Sequence, residues 1–312
     1  MIPSLAFVFP GQGSQSLGML AELAAVHPQV EATFEEASQG CGLDLWALSQ
    51  QGPEERLNQT EFTQPALLAA SVAVWRSWIA SGGAQPAQFS GHSLGEYAAL
   101  VASGSLALAD AAKLVRERGR LMQAAVPAGT GAMAAVLGAE DDLVAEVCAQ
   151  VSDSEVVVPA NYNSPGQIVI GGHAAAVDRA LAELASRGVR KVVKLAVSVP
   201  SHTPLMRDAA LQLGEVMAKL SWQQPDRPVL QNADARAEPS TGDIRAALVR
   251  QLYLPVRWSD CVRSMAAQGA TQIVECGPGK VLSGLVKRID KSLEARPIGL
   301  PSDFDAALAE LR

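Results

Sequence analysis

The chain has 312 residues, enough for one large domain or two ordinary ones with a sizeable core. Apolar residues make up 48%, charged residues 18% and aromatics 4%, the composition of a globular protein rather than a disordered or fibrous one. With 25 basic against 32 acidic residues the net charge is −7, so nothing in the overall charge draws the chain to nucleic acid or to an anionic lipid surface.

No charged side chain precedes Glu22. The opening stretch nevertheless lacks a basic start and is broken by Pro10, Gly11, Gln12 and Gly13, so a first strand and loop are expected there, not a leader peptide. Residues 5–9 form a continuous apolar run of the kind buried on both faces of a parallel sheet. Between residues 63 and 80, Leu67, Leu68, Val72, Val74, Trp75, Trp78 and Ile79 recur at helical spacing, and Gly82 and Gly83 stop the helix. A weakly apolar strand over 87–90 then leads through Gly91-His92-Ser93-Leu94-Gly95 into helices over 96–103 and about 106–125.

From Gly131 the rhythm changes. Residues 132–137 read as extended, 141–150 as helical, 156–161 and 167–170 as extended, 174–187 as helical and 191–197 as extended. This β-α-β-β-α-β order is that of a ferredoxin-like unit, which can fold as its own small domain. Afterwards Thr203 is expected to cap a helix with Pro204 in its first turn, running to Leu220. Helices over 244–253 and 261–267 follow, and 272–276 reads as a last apolar strand before Gly277-Pro278-Gly279. The predicted architecture is a larger α/β domain of residues 1–127 and 199–312 interrupted by a smaller one of residues 128–198. No run reaches the roughly 18 consecutive apolar residues of a membrane span. Cys41, Cys148, Cys261 and Cys276 show neither paired spacing nor histidines at ligand intervals, so no disulfide framework or zinc site is expected, and a reducing cytoplasm is.

The segment Gly91-His92-Ser93-Leu94-Gly95 matches G-x-S-x-G, in which a nucleophilic serine sits on a strained strand-to-helix turn and the next N–H faces a developing oxyanion. The competing reading is an ordinary glycine-bounded turn; the helix that follows supplies the context the nucleophile reading requires. His202 stands between a strand end and a helix start, where α/β sites assemble, and is the candidate general base, against the alternative of a hydrogen-bonded surface histidine. His27 and His173 are expected to be solvated or capping residues, and His92 a structural one. Arg118 falls four residues after Leu114 and three before Leu121, on the apolar face of its helix. A guanidinium there needs an anion: an internal Asp or Glu, or the carboxylate of a substrate. Pro10–Gln15 and Gly277–Lys280 lack the glycine spacing of dinucleotide and phosphate loops.

Taken together, Phe9–Gln15, Gly91–Leu100, Arg118-Gly119, Asn163–Gln167, Val199–His202, Arg250–Tyr253 and Gly277–Lys280 resemble the malonyl-CoA:acyl carrier protein transacylases of fatty-acid synthesis, relatives of the acyltransferase domains of polyketide synthases. The resemblance spans almost the whole chain. It implies an α/β-hydrolase-like larger domain with an inserted ferredoxin-like one. It further implies Ser93 as nucleophile, His202 as base, Arg118 as the clamp on the malonyl carboxylate, the N–H groups of Gln12 and Leu94 as the oxyanion hole, and the backbone carbonyl of Gln251 as the group that orients His202. It implies malonyl-CoA and acyl carrier protein as partners, no metal or resident cofactor, no nucleic acid or membrane, and a monomeric cytoplasmic enzyme. The polar strand Ala87-Gln88-Phe89-Ser90 departs from the family pattern and raises the question of how it packs. An acidic carrier protein would need a local basic patch on this acidic chain; Arg187, Arg190, Lys191 and Lys194, or Lys280, Lys287, Arg288 and Lys291, are the candidate cations.

Overall fold

The computed structural model describes residues 1–127, 129–197 and 199–311. Ten strands are found among them: β1 (Ile2–Phe9), β2 (Pro86–Gly91), β3 (Gly131–Leu137), β4 (Val157–Ser164), β5 (Gln167–His173), β6 (Lys191–Lys194), β7 (Val229–Gln231), β8 (Arg236–Ala237), β9 (Gln272–Glu275) and β10 (Glu294–Pro297). They form two sheets. The first has the order β10-β9-β1-β2-β7-β8, parallel throughout except for the antiparallel edge strand β8. Residues 5–9 lie at its centre and are fully buried, as an apolar run without polar alternation demands. Helices cover both faces, chiefly α1 (Gln29–Cys41), α2 (Thr60–Ala80), α3 (Gly95–Ala102), α4 (Leu108–Ala124) on one side and α5 (Trp258–Ala267) and α6 (Val281–Ile289) on the other. Phe7 packs its ring against Trp75 and Trp78 of α2, with centroids 5.3 and 5.5 Å away.

The second sheet, β4-β5-β3-β6, is antiparallel and carries on one face the helices Asp141–Val151 and Ala174–Ser186. The β-α-β-β-α-β order predicted for this stretch is thus present, giving a two-domain α/β fold. Strand β4 is tied to the segment that precedes α5: the Tyr162 N–H donates to the Val256 carbonyl and the Val256 N–H to that of Ala160, both at 2.9 Å.

Several expectations need correction. Thr203 caps no helix: its hydroxyl donates to the Pro200 carbonyl, Pro204–Met206 forms a 3-10 turn, and the helix proper is Arg207–Met217. Strand β6 ends at Lys194 and not at residue 197, because the chain beyond it turns to line the cleft between the sheets. The polar residues of β2 find buried partners: the Gln88 amide nitrogen donates to the Met265 carbonyl and the Ser90 hydroxyl to that of Leu230, while Gln88 Oε1 is left without one. Among the described residues no helix is long and apolar enough to cross a membrane.

Candidate active site

The turn between β2 and α3 is forced by its glycines. A Cβ on Gly91 would lie 2.0 Å from the Gly95 carbonyl carbon, and one on Gly95 would lie 2.0 Å from the Phe9 carbonyl oxygen, so only glycine permits so close a crossing of backbones. Ser93 between them has φ +52°, a left-handed conformation that a non-glycine residue holds only when its surroundings impose it. Those surroundings are visible: the Ser93 N–H donates to Asn232 Oδ1 at 2.6 Å, and Asn232 Nδ2 donates to the Gly91 carbonyl at 2.7 Å. The strand–turn–helix context that the motif requires is therefore present.

Ser93 Oγ lies 2.8 Å from His202 Nε2. The opposite ring nitrogen, Nδ1, is 2.7 Å from the Gln251 carbonyl oxygen, which fixes Nδ1 as the protonated atom and leaves Nε2 free to accept. His202 also has φ +61° and is buried. Burial, and then the nearby Arg118 charge, push its pKa down to about 3, against the opposing pull of the Gln251 carbonyl. The imidazole is thus neutral over the ordinary working range.

Arg118 is 1% exposed, so the inward placement read from the helix periodicity holds. The internal salt bridge does not. Nη1 donates to Gln64 Oε1 at 2.8 Å, and Nη2 donates to Gln251 Oε1 at 2.9 Å and to Ser93 Oγ at 3.2 Å. These are neutral oxygens, and among the described residues no carboxylate pairs with it. Tyr97 offers its ring face 5.5 Å from the guanidinium carbon. A buried cation held by neutral acceptors at the edge of a cavity is poised for an anion from outside.

Gln12, Ser93, Leu94, Arg118 and His202 all line one cavity of about 200 Å³ between the two sheets. Among the described residues neither the Gln12 nor the Leu94 N–H has a backbone partner, so both remain available to a ligand. Met133, Val169, Leu195 and Val197 form an apolar wall on the side of the antiparallel sheet.

The remaining histidines sort by contact. His92 is held by Asn163 Oδ1, 2.8 Å from its Nε2, in keeping with a structural role. His173 accepts at Nδ1 from the Val156 N–H, while its side chain caps nothing. His27 is half-buried against Phe304, with ring centroids 4.6 Å apart. Of the first group of cations, Arg187 is paired with Glu146 and Glu183, and Lys194 with Asp178, which leaves Arg190 and Lys191 exposed. In the second group Arg288 donates to Gln167 of β5, while Lys280, Lys287 and Lys291 are exposed.

Three contributors were not singled out in the sequence: Gln64, Glu96 and Asn232. Gln64 and Glu96 are polar residues inside apolar helical runs, the same signal that exposed Arg118. Asn232 sits in an unremarkable loop, and only the fold brings it to Ser93. Among the described residues no cluster of three or more His, Cys, Asp or Glu is placed to hold a metal ion.

Comparison with known proteins agrees with this geometry. The family described as acyl transferase domain matches residues 6–299. The malonyl CoA-acyl carrier protein transacylase of Escherichia coli K12 is 54% identical over 303 residues, covering 97% of this chain and 98% of that protein. The crystal structure of the malonyl-CoA:acyl carrier protein transacylase of Xanthomonas oryzae superposes with a TM-score of 0.99 at 70% identity, covering 100% of this chain and 99% of that one. A malonyl-transacylase solved in complex with its type II PKS acyl-carrier protein superposes with a TM-score of 0.97 at 50% identity, over 98% and 99% of the two chains. A G-x-S-x-G elbow, a paired histidine and a family match over nearly the full length lead to one assignment: the chain belongs to the acyl transferase domain family and is an acyltransferase.

Proposed function

We propose that the chain transfers the malonyl group of malonyl-CoA to the phosphopantetheine thiol of acyl carrier protein through a malonyl-Ser93 intermediate. The observation that carries this reading is the convergence on Ser93 Oγ of a neutral histidine nitrogen at 2.8 Å and a buried guanidinium at 3.2 Å. The first pair is a nucleophile with its base; the second adds a cation that a substrate lacking an anion would leave unmatched.

In the first half-reaction Ser93 Oγ attacks the thioester carbonyl carbon while its proton passes to His202 Nε2. The tetrahedral oxyanion is held by the N–H groups of Gln12 and Leu94. Its collapse breaks the C–S bond, and CoA leaves as the thiol with the proton from His202. In the second half the carrier-protein thiol gives its proton to His202 and attacks the malonyl ester carbon; collapse breaks the bond from that carbon to Ser93 Oγ, which takes the proton back from His202. Arg118 binds the malonyl carboxylate in both halves, and the apolar wall receives the pantetheine arm. His202 is held by the Gln251 carbonyl, a neutral acceptor in the place an acid occupies in a Ser-His-Asp triad. The chemistry asks for no metal or resident cofactor. We further propose that residues 1–127 and 199–312 form one domain and 128–198 the other, and that the enzyme works as a monomer in the cytoplasm, with no nucleic acid or membrane partner.

Initial-rate measurements test the route. Parallel double-reciprocal lines are expected when malonyl-CoA and carrier protein are varied together. Ser93→Ala should lower turnover by a factor on the order of 10⁶, because nucleophile and base act as a unit. Intersecting lines, or a folded Ser93→Ala protein retaining more than roughly one per cent of the rate, would refute the covalent route.

A further inference from the structure

Glu96 is fully buried, one residue into the helix that follows the serine elbow, and the transfer mechanism gives it no part. Its Oε2 accepts from the backbone N–H of Asn232 at 2.8 Å and from Gln251 Nε2 at 3.0 Å; its Oε1 has no partner. Burying a carboxylate is costly, so what these two bonds accomplish needs a reason.

Both of the residues it holds are hubs. Asn232 fixes the Ser93 backbone from one side. The Gln251 carboxamide stands between two charged groups: Nε2 donates to Glu96 Oε2 and, at 2.9 Å, to the Ser93 carbonyl, while Oε1 accepts from Arg118 Nη2. The two ends of a carboxamide have nearly the same shape, and their orientation is decided by what surrounds them. Here a flip would turn the amino group towards the guanidinium and the carbonyl towards the carboxyl.

We propose that Glu96 is a positioning residue for acyl-group selection: its Oε2 fixes the Gln251 carboxamide in the one orientation that offers Arg118 an acceptor, and so keeps the guanidinium fork aimed at the substrate carboxylate. The inference rests on the reading that Arg118 binds the malonyl carboxylate. Burial pushes the Glu96 carboxyl up to about 7, against the bonds from Gln251 and Asn232. The role survives protonation, because both bonds end on Oε2 and the carbonyl oxygen of the acid form still accepts them, more weakly than the carboxylate does. What matters is an acceptor at that point, so glutamine should substitute for Glu96, with its amino group on the side where Oε1 has no partner. Aspartate should not, since its carboxyl withdraws by about 1.5 Å, one carbon–carbon bond.

The test compares Glu96→Gln, Glu96→Asp and Glu96→Ala with the parent for kcat/KM of malonyl and of acetyl transfer, together with Ser93 acylation by p-nitrophenyl acetate. The malonyl-to-acetyl ratio should stay within about threefold of the parent in Glu96→Gln. It should fall by about tenfold or more in Glu96→Asp and Glu96→Ala, the scale of one charge-assisted hydrogen bond, while acylation by the neutral ester, which has no carboxylate for Arg118 to bind, falls by less than malonyl transfer does. If Glu96→Ala does not fold, Glu96→Asp carries the comparison. A ratio unmoved in the aspartate variant, with both rates falling together, would mark a merely structural carboxylate and overturn the proposal, as would a glutamine variant no better than aspartate. A parent enzyme that does not prefer malonyl would instead refute the reading of Arg118 whatever Glu96 does.

Discussion

Replacing Arg118 with alanine removes a buried cation whose hydrogen bonds, to Gln64, Gln251 and Ser93, all go to neutral oxygens. A malonyl carboxylate meeting its planar fork gains two charge-assisted hydrogen bonds, each contributing about 1.5–3 kcal/mol. Taking the lower figure for both gives about 3 kcal/mol, which corresponds to about a hundredfold in kcat/KM. Acetyl has no carboxylate and loses none of this. The Gln64 and Gln251 oxygens left without a donor cost stability, about 1–3 kcal/mol for each buried group, but that cost falls on both substrates alike and cancels in their ratio. Initial rates of transfer from malonyl-CoA and acetyl-CoA to carrier protein, with circular dichroism to establish folding, measure the effect. The malonyl-to-acetyl ratio should fall by at least tenfold and by about a hundredfold if both bonds are lost. A folded Arg118→Ala protein with the parental ratio would show that the guanidinium serves the internal network only, and the reasoning about its orphaned charge would be wrong.

The same substitution makes a second prediction through His202, whose pKa is lowered by burial and by the Arg118 charge. A base works when neutral, so the parent's kcat/KM for acetyl transfer should hold as pH falls through the ordinary histidine range near 6.5. Removing Arg118 takes away one depressing charge, so its acid limb should lie at higher pH than the parent's; coincident limbs would contradict the assignment. On the surface, Lys191 and Lys287 are exposed, whereas Arg187 and Lys194 are already paired. Reversing both lysines to glutamate should raise the KM for acyl carrier protein more at low salt than at high, because exposed charges are screened beyond about 10 Å at 0.1 M, and should spare the half-reaction with malonyl-CoA. Parental KM values at both ionic strengths would remove these lysines from the docking surface.

What could be read from the sequence follows from which signals are local. The central strand at residues 5–9 is set by an unbroken apolar run, and the inserted β-α-β-β-α-β unit and the inward face of Arg118 by local periodicities, and the chain keeps them. The short strands β7, β8 and β10 span four residues or fewer and carry too little pattern to stand out; they exist because the parallel sheet supplies their partners. Thr203-Pro204 has the composition of a helix start, but the Thr203 hydroxyl is taken by the Pro200 carbonyl, across the turn in which His202 holds its positive φ. The supporting residues of the site were the least legible. Asn232 reaches Ser93 across 139 positions and Gln251 reaches it across 158, contacts that no spacing within one element can announce. Glu96 differs: a carboxylate inside the apolar stretch from Gly95 to Ala102 is the same anomaly that made Arg118 conspicuous.

The central claim is a malonyl group on Ser93. Incubating the protein with malonyl-CoA alone, quenching in acid and mapping the adduct by mass spectrometry tests it most directly. One malonyl group on Ser93 is expected, stable until carrier protein is added, and no adduct is expected on Ser93→Ala. An unmodified Ser93, an adduct at another residue, or free malonate released to water as fast as CoA appears would contradict the account.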